Sequence, residues 1–332
     1  MYGDDPRIYR HTFNSKIVTS MKIFDLHQDF MAHIRFRSEW DQEEQTSITQ
    51  LRASDVSLLC ATAFPLHLND NHCDPVVNEL ITQELQMYKD LAQKEGILLV
   101  DKAKDLTDER LKMLLHLEGL NAFSGTIADW QRLELWISMG VRSIGTHWNV
   151  DNQLGGGTLT VTDGLTDLGL EVITCIEKSN LLLDLAHMGR QSFIDAAEIV
   201  TKPLYISHGN ADALCSNVRN YTDAQLKQIG ASGGVIGVFF ANKFVVGDNK
   251  KGTVADVVNH ITYIKDLIGI DHVALGSDFG GIATGTVDGL ASVSQYPILL
   301  TALSQAGYTQ EEQEKICWRN AERVIGEHLG AS

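Results

Sequence analysis

The chain has 332 residues, of which 44% are hydrophobic, which is enough apolar material for one large core. Its 43 acidic residues outnumber its 27 basic ones, and the formal net charge of −16 argues against binding to nucleic acid or to an anionic membrane surface. Five scattered cysteines without CxxC spacing exclude a disulfide framework, and no segment approaches the roughly 20 continuous apolar residues of a membrane span.

The first 20 residues are polar and aperiodic, and we interpret 1–20 as an N-terminal arm. They contain no apolar stretch that could act as a signal peptide, so we expect a cytoplasmic location. The remainder, 21–332, has no linker rich in Pro, Gly or Ser. We therefore predict one catalytic domain over 21–332.

From residue 22 onward, short apolar runs alternate with longer amphipathic stretches. Apolar runs of this length are typical of buried strands. There are eight of them: Lys22–Leu26, Val56–Phe64, Met113–Leu117, Val141–Thr146, Leu181–Ala186, Leu204–Ser207, Gly234–Phe239 and His272–Gly276.

The stretches between the runs have apolar residues three and four positions apart, which predicts helices. An α/β fold with a parallel sheet follows from the alternation. Eight units, without a strand–GxGxxG–helix unit, favour a (β/α)₈ barrel of the TIM type over a doubly wound sheet. The predicted helices are Asn78–Lys94, Ile127–Met139, Leu165–Lys178, Gln191–Val200, Ala224–Ile229 and Val254–Ile268, with two more near 309–318 and 319–328.

Side chains that can bind metal ions follow the C-terminal ends of six of the runs. In a (β/α)₈ barrel these ends open on one face, where catalytic sites lie. A carboxylate at the end of an apolar strand, as at Glu118, is costly to bury unless it is paired or bound to metal. The pattern therefore predicts a metal site on this face. The residues are His27, Asp29, Glu118, His147, His187, His208 and Asp278.

Imidazole and carboxylate ligands suit zinc, and also manganese or cobalt. The number of ligands predicts two ions, with His27 and Asp29 on one, His187 and His208 on the other, and Glu118 between them. Two ions about 3.5–4 Å apart can activate a water molecule and polarise a carbonyl together. We expect the remaining histidines to be structural.

At these residues the sequence resembles the membrane (renal) dipeptidase family of zinc peptidases, within the amidohydrolase superfamily. The similarity runs from FDLHQDF, which begins at residue 24, to the last predicted helices. Its most specific stretches are GLTDLGLEVITCIEKSNLLLDLAHMG, PLYISHGNADAL and IDHVALGSDFGG. The resemblance implies a metallo-dependent hydrolase barrel with two zinc ions. It also implies hydrolysis of dipeptides, including those with a C-terminal D-residue.

The resemblance also implies roles for single residues. His147 would bind the scissile carbonyl and stabilise the oxyanion, Arg219 would bind the terminal carboxylate of the substrate, and Asp278 would transfer a proton to the leaving amine. These roles suit the residue types, because a guanidinium matches a carboxylate and a carboxyl group can carry a proton.

Four positions depart from the family pattern, and the first, Gln28 in HQD where HND is more usual, keeps both ligands. Asp212 stands where an arginine is common, Gly280 where an acidic residue is common, and Phe240 where many relatives have a tyrosine that helps to bind the substrate carboxylate. The changes alter the pocket and leave the metal ligands intact. Two alternatives therefore stay open: a related amidohydrolase acting on N-acyl amino acids or other small amides or lactones, and a non-catalytic binding protein. The expected partner is a small dipeptide; a homodimer is compatible with the resemblance, although the sequence carries no interface signal.

Overall fold

The computed structural model describes residues 21–32, 45–64, 76–159, 164–282 and 285–330. The predicted arm at 1–20 lies outside the described residues. Within these ranges the strands all pair in parallel. They are β1 (Ile23–Gln28), β2 (Val56–Ala63), β3 (Leu98–Leu99), β4 (Lys112–Glu118), β5 (Val141–Gly145), β6 (Leu182–Asp184), β7 (Tyr205–Ile206), β8 (Val235–Val238) and β9 (Val273–Leu275).

Eight of the strands close into a ring. Going round it, the order is β1, β2, β4, β5, β6, β7, β8, β9, and β9 pairs with β1 again. Among the described strands, the two-residue strand β3 pairs only with the start of β4, where Leu98 is opposite Lys112. The predicted (β/α)₈ barrel and its eight strands are thus confirmed, and β3 is an addition that the sequence pattern did not predict.

The helices surround the barrel. Those predicted between residues 78 and 268 are confirmed to within two residues at each end, whereas α1, α7 and α9 were not predicted. The helices are α1 (Ile48–Ala53), α2 (Val76–Glu95), α3 (Ile127–Ser138), α4 (Asp167–Lys178), α5 (Arg190–Ile199), α6 (Asp223–Ala231), α7 (Asn242–Val245), α8 (Val254–Ile268), α9 (Tyr296–Gln305), α10 (Gln310–Glu314) and α11 (Asn320–Leu329).

Several helices begin at a threonine that caps free backbone N–H groups. At α3, Thr126 accepts a bond from Asp129 N, and the Asp129 carboxylate bonds back to the cap residue. The same reciprocal arrangement, a capping box, starts α6 at Thr222 and α10 at Thr309. The sequence motif Thr-x-x-Asp/Gln/Glu thus sets where these helices begin after the barrel loops.

An apolar cluster fills the barrel interior. It joins side chains from seven strands, including Phe24, Leu58 and Leu114, to residues of the C-terminal helix α11 such as Val324 and Ile325. A larger cluster lies between the strands and the outer helices. Packing α11 against the interior cluster buries one end of the barrel, so the opposite end, at the carboxyl ends of the strands, is left for a site.

In the described ranges no helix combines the length and the apolar character that crossing a bilayer requires.

Candidate metal centre

The first predicted ligands come together where β1 and β9 end side by side. Asp278 N donates to His27 O at 3.0 Å, and Asp29 N donates to Phe279 O at 2.9 Å. These bonds hold the carboxylates of Asp29 and Asp278 beside the His27 ring. Nε2 of that ring lies 3.7 Å from Asp29 Oδ2 and 3.9 Å from Asp278 Oδ1.

Glu118, the last residue of β4, lies at the centre of the remaining ligands. Its Oε1 is 3.0 Å from Nε2 of His187, 3.5 Å from Nε2 of His27 and 3.8 Å from Nε2 of His208. The Nε2 atoms of His187 and His208 are themselves 3.0 Å apart. The structure therefore brings together all five residues that the sequence predicted as metal ligands, from the ends of β1, β4, β6 and β7.

The donor atoms fit metal ions in type and spacing. Ligands around a tetrahedral zinc ion, with bonds of about 2.0–2.2 Å, lie about 3.3–3.6 Å from one another. The distances around Glu118 Oε1, 3.0–3.8 Å, bracket this spacing. In addition, Asp29 Oδ1 is buried and has no hydrogen-bond partner within the described ranges, and an unsatisfied buried carboxylate oxygen is costly unless a cation binds it.

The Nδ1 atoms of the three histidines, on the side of each ring away from Glu118, lie within hydrogen-bond distance of uncharged side chains. His187 Nδ1 is 2.8 Å from Asn149 Oδ1, and Ser207 Oγ lies 2.8 Å from His208 Nδ1 and 3.3 Å from His27 Nδ1. An amide oxygen can only accept, so Nδ1 of His187 carries the proton and its Nε2 lone pair faces Glu118. Asn149 and Ser207 were not among the predicted site residues, although both lie within two residues of a predicted site histidine.

Burial and neighbouring charge set the protonation states. Burial, helped by the positive charge of Arg219, lowers the pKa of His187 to about 4. Burial also lowers the pKa of His208 well below its ordinary value. Neutral imidazole is the form that binds metal ions. Burial raises the pKa of Glu118, but the neighbouring His27 outweighs it and holds that pKa well below its usual range, so Glu118 is a carboxylate. Burial lowers the pKa of His27, but Glu118 and Asp29 outweigh it and raise that pKa well above its ordinary value, so a metal ion that binds His27 would displace a proton.

Asp278 occupies a strained position at the edge of this cluster. Burial raises its pKa well above the ordinary value, and the nearby Asp29 carboxylate adds to the effect. Its backbone is left-handed, with φ of 64°, as is that of His187. Non-glycine residues in this region are uncommon and concentrate at functional sites.

The cluster opens into a cavity of about 230 Å³. Arg219 reaches it from the loop after β7 and is buried, with 4% of its surface exposed. Its Nη2 donates to His208 O at 3.2 Å, while Nη1 has no hydrogen-bond partner in the part of the chain that the structure describes. A buried guanidinium with an unused N–H edge suits an anionic group of a ligand.

The structure does not bring two of the predicted residues to the described cavity wall. Phe240 is fully buried and packs on Phe279 and Tyr296, with ring centroids 5.6 and 6.0 Å away, and its neighbour Phe239 lines the cavity instead. His147 is also fully buried; its Nδ1 lies 2.8 Å from Thr146 Oγ1 and its Nε2 has no partner among the described residues.

A glycine that the sequence analysis did not single out leaves room for two carboxylates. A Cβ atom on Gly281 would lie closer than 3.0 Å to both Asp29 Oδ2 and Asp278 Oδ1. Gly281 also lines the cavity. The only sequence signal was its place in GSDFGG, three residues after Asp278.

Comparisons with known proteins agree with this geometry. The family model described as "Membrane dipeptidase (Peptidase family M19)" matches residues 11–330. A Klebsiella pneumoniae protein, named for its place in the pqqA 5' region, is 38% identical over 268 residues, or 76% of this chain and 96% of that protein.

Two solved structures have the same barrel. One, described as dipeptidase AC, a metallopeptidase of family M19, superimposes with a TM-score of 0.82 at 24% identity, covering 94% of this chain and 100% of that one. The other is a Rhodobacter sphaeroides metallopeptidase bound to a phosphinate mimic of L-Ala-D-Ala, with a TM-score of 0.81 at 23% identity, covering 93% and 100%. The chain therefore belongs to the membrane dipeptidase family, peptidase family M19, and is a metal-dependent hydrolase.

Proposed function

We propose that the protein is a binuclear zinc dipeptidase that hydrolyses the amide bond of small dipeptides. The observation that carries the proposal is the approach of three histidine Nε2 atoms to a single oxygen of Glu118, with the Asp29 carboxylate beside them. His27 and Asp29 would hold one ion, His187 and His208 the other, and Glu118 both. When bound, the ions would polarise the substrate carbonyl and lower the pKa of a water molecule.

Arg219 would fix the orientation of the substrate. Its free Nη1 edge supports a hydrogen bond to the terminal carboxylate, and the bond from Nη2 to His208 O keeps the guanidinium next to a metal ligand. A dipeptide held in this way has its amide bond close to the metal ligands, because one residue separates that bond from the terminal carboxylate.

Asp278 would pass a proton to the departing amine. Its raised pKa suits a carboxyl group that must both hold and release a proton. The backbone bond from Asp278 N to His27 O keeps it beside the metal ligands. The family resemblance gives His147 the role of stabilising the negative charge that develops on the carbonyl oxygen; because its ring is buried away from the described cavity wall, this role requires the ring to move towards the substrate.

Tolerance of a C-terminal D-residue is part of the proposal. The structural relative from Rhodobacter sphaeroides was solved with a mimic of L-Ala-D-Ala. The metal-binding and carboxylate-binding groups described here act on the backbone of a substrate, so they do not by themselves select the configuration of the second residue.

The cytoplasmic location, the single domain and the homodimer stay predictions.

One observation is equally compatible with a second candidate, hydrolysis of N-acyl amino acids. The cavity has an aromatic wall formed by Phe64 and Trp148, against which an acyl chain could pack as well as an amino-acid side chain. Such a substrate shares the carboxylate and the scissile amide with a dipeptide. An N-acyl amino acid differs from a dipeptide in having no free amino group at its N-terminal end.

The test is a substrate panel with the zinc-loaded enzyme: L–L dipeptides, L–D dipeptides, the same dipeptides amidated at the C-terminus, and N-acetyl amino acids. We expect two zinc ions per chain by elemental analysis, and kcat/KM for free dipeptides about 100-fold above that for their amides, the size of a lost charged hydrogen bond. Arg219→Ala should remove this difference, whereas Arg219→Lys should keep part of it.

Two controls separate the parts of the proposal. Asp278→Asn should bind two zinc ions and lose about 10²–10⁴-fold in kcat. Full activity after exhaustive chelation would contradict the metal centre, and cleavage of N-acetyl amino acids without cleavage of any dipeptide would favour the second candidate.

A further inference from the structure

Two pairs of aromatic rings line the cavity beside the metal ligands. Phe64 and Trp148 form the first pair, with ring centroids 5.0 Å apart. Phe239 and Phe244 form the second, with centroids 5.1 Å apart and ring planes inclined by 26°. We call them the Phe64 wall and the Phe244 wall. Paired aromatic rings offer a large rigid apolar surface to a ligand.

The two walls lie on opposite sides of the barrel mouth. Phe64 directly follows β2 and Trp148 follows β5, the two strands that flank β4 in the ring. Phe239 directly follows β8. In the closed order of eight strands, β8 is four positions from β4 in either direction. A ligand that bridges the metal centre therefore has one wall at each end.

Arg219 determines which end of a substrate meets which wall. Its Cζ atom lies 5.6 Å from the centroid of the Phe239 ring. A terminal carboxylate bound by Arg219 consequently places the C-terminal residue against the Phe244 wall. The N-terminal residue, on the far side of the scissile bond, then lies against the Phe64 wall. This step rests on the proposed function.

The charged groups of the described cavity wall are already assigned by the proposed function. They are Asp29, Glu118, His187, His208, Arg219 and Asp278. The remaining polar side chain of the described wall, Asn149, already bonds His187 and Thr158 through its Oδ1. A charged substrate side chain entering between the aromatic walls would therefore lose its hydration without gaining a charged partner among the described residues, which is costly. An apolar side chain gains from the same burial.

We propose that the enzyme is selective for dipeptides with apolar side chains at both positions, the Phe244 wall selecting the C-terminal residue and the Phe64 wall the N-terminal residue. The cavity volume of about 230 Å³ lies below the roughly 300–1,000 Å³ of pockets for drug-sized ligands. Side chains of the size of leucine or valine suit it.

The test compares leucine with asparagine, which has a similar size and is polar, at each position separately. The substrates are Leu-Ala, Asn-Ala, Ala-Leu and Ala-Asn, with the zinc-loaded enzyme. We expect kcat/KM to favour leucine about tenfold or more at each position. Phe244→Ala should reduce the ratio of Ala-Leu to Ala-Asn and leave the ratio of Leu-Ala to Asn-Ala unchanged. Phe64→Leu should reduce the ratio of Leu-Ala to Asn-Ala, by a smaller factor, and leave the ratio of Ala-Leu to Ala-Asn unchanged.

Ile127→Ala is the control variant, because Ile127 is 78% exposed at the start of α3 and outside the cavity. Both ratios should stay as in the parent enzyme. Because each ratio is taken within one variant, a partial loss of folded protein cancels. Dipeptide cleavage without any preference for leucine would overturn this inference and leave the proposed function standing. Equal changes of both ratios in each wall variant would overturn the assignment of the walls, and failure to cleave any dipeptide would overturn both proposals.

Discussion

The ring of His187 is held by Asn149, whose Oδ1 lies 2.8 Å from His187 Nδ1 and also accepts a bond from Thr158 Oγ1 at 3.2 Å. Asn149 lies in the loop after β5 and has a left-handed backbone with φ of 53°. Its side chain sets the tautomer of a predicted metal ligand. Partners of this kind tune metal affinity as well as ring orientation.

We therefore expect Asn149→Gly to weaken metal binding by about 10–100-fold, measured by competition with a chromophoric chelator. Glycine accepts the left-handed backbone, so the change removes the side-chain bond without adding strain. Asn180→Gly is the matched control, because Asn180 has the same φ of 53° and is exposed away from the site. Equal losses in the two variants would contradict the role of the Asn149 side chain.

A methyl group at Gly281 should disrupt the metal centre. Its Cβ would lie closer than 3.0 Å to a carboxylate oxygen of both Asp29 and Asp278, so at least one of them must move. A displacement of about 1 Å at a catalytic group can cost about 100-fold in rate, and we expect Gly281→Ala to lose that much in kcat/KM together with bound zinc. Gly326→Ala, where the new Cβ would meet Leu106 Cδ1 at 3.8 Å, should keep both.

The bond from Tyr296 to Asp25 should contribute to stability. Tyr296 OH donates to Asp25 Oδ2 at 2.7 Å, and the same carboxylate accepts bonds from Ser277 N and Ser277 Oγ. Asp25 is fully buried, and its Oδ2 keeps the bonds from Gln28 and Ser277 when the tyrosine donor is removed, so the change costs one hydrogen bond to a buried carboxyl group. We expect Tyr296→Phe to lower the free energy of unfolding by about 1.5–3 kcal/mol in urea titrations.

Tyr263→Phe, at the protein surface, is the matched control for Tyr296→Phe. Tyr263 OH donates to Asp223 at 2.8 Å and its ring is partly exposed. Tyr263→Phe should cost less than about 1 kcal/mol, because water can replace the lost donor. A larger effect at Tyr263 than at Tyr296 would show that the buried carboxylate is not what makes the Tyr296 bond important.

Lowering the pH should reduce the stability that the capping bonds at the start of α3 contribute to the fold. Burial raises the pKa of Asp129, but bonds from Thr126 and Ser124 outweigh it and lower the pKa to about 2. The unfolded value is about 3.9. Since the folded pKa is the lower one, the bonds stabilise the fold above pH ~4, and the contribution is lost as the pH falls towards 2.

Asp129→Asn should therefore be less stable than the parent protein at pH 7, by about 1 kcal/mol for a lost cap, and the difference should shrink between pH ~4 and ~2. Urea unfolding at several pH values measures it. Glu134→Gln, an exposed change on the same helix, serves as the control. A difference that grows on acidification would contradict the assigned direction.

The pattern of apolar runs predicted the architecture because parallel strands buried on both faces read as continuous apolar segments. It failed for β3, which has two residues, and for the short helices α1 and α7, which are too brief to show a period. At the C-terminus the two predicted helices are joined by a π-helical turn over Lys315–Arg319. Each residue there continues a helical pattern, so the change in hydrogen-bond spacing has no signal in residue type.

By itself, the sequence determined the barrel and the set of metal-competent residues at its carboxyl end, because strand ends are marked by the first polar residues after apolar runs. Only the tertiary structure decided which neighbour of these residues faces the cavity. Phe239 and Phe240 are adjacent, equally apolar and directly follow β8. Their residue types do not distinguish them, so the closure of the ring determines that Phe239 lines the cavity and Phe240 packs in the core. The same holds for Asn149, which contacts His187 after the next strand, and for Gly281, which approaches Asp29 near the other end of the chain.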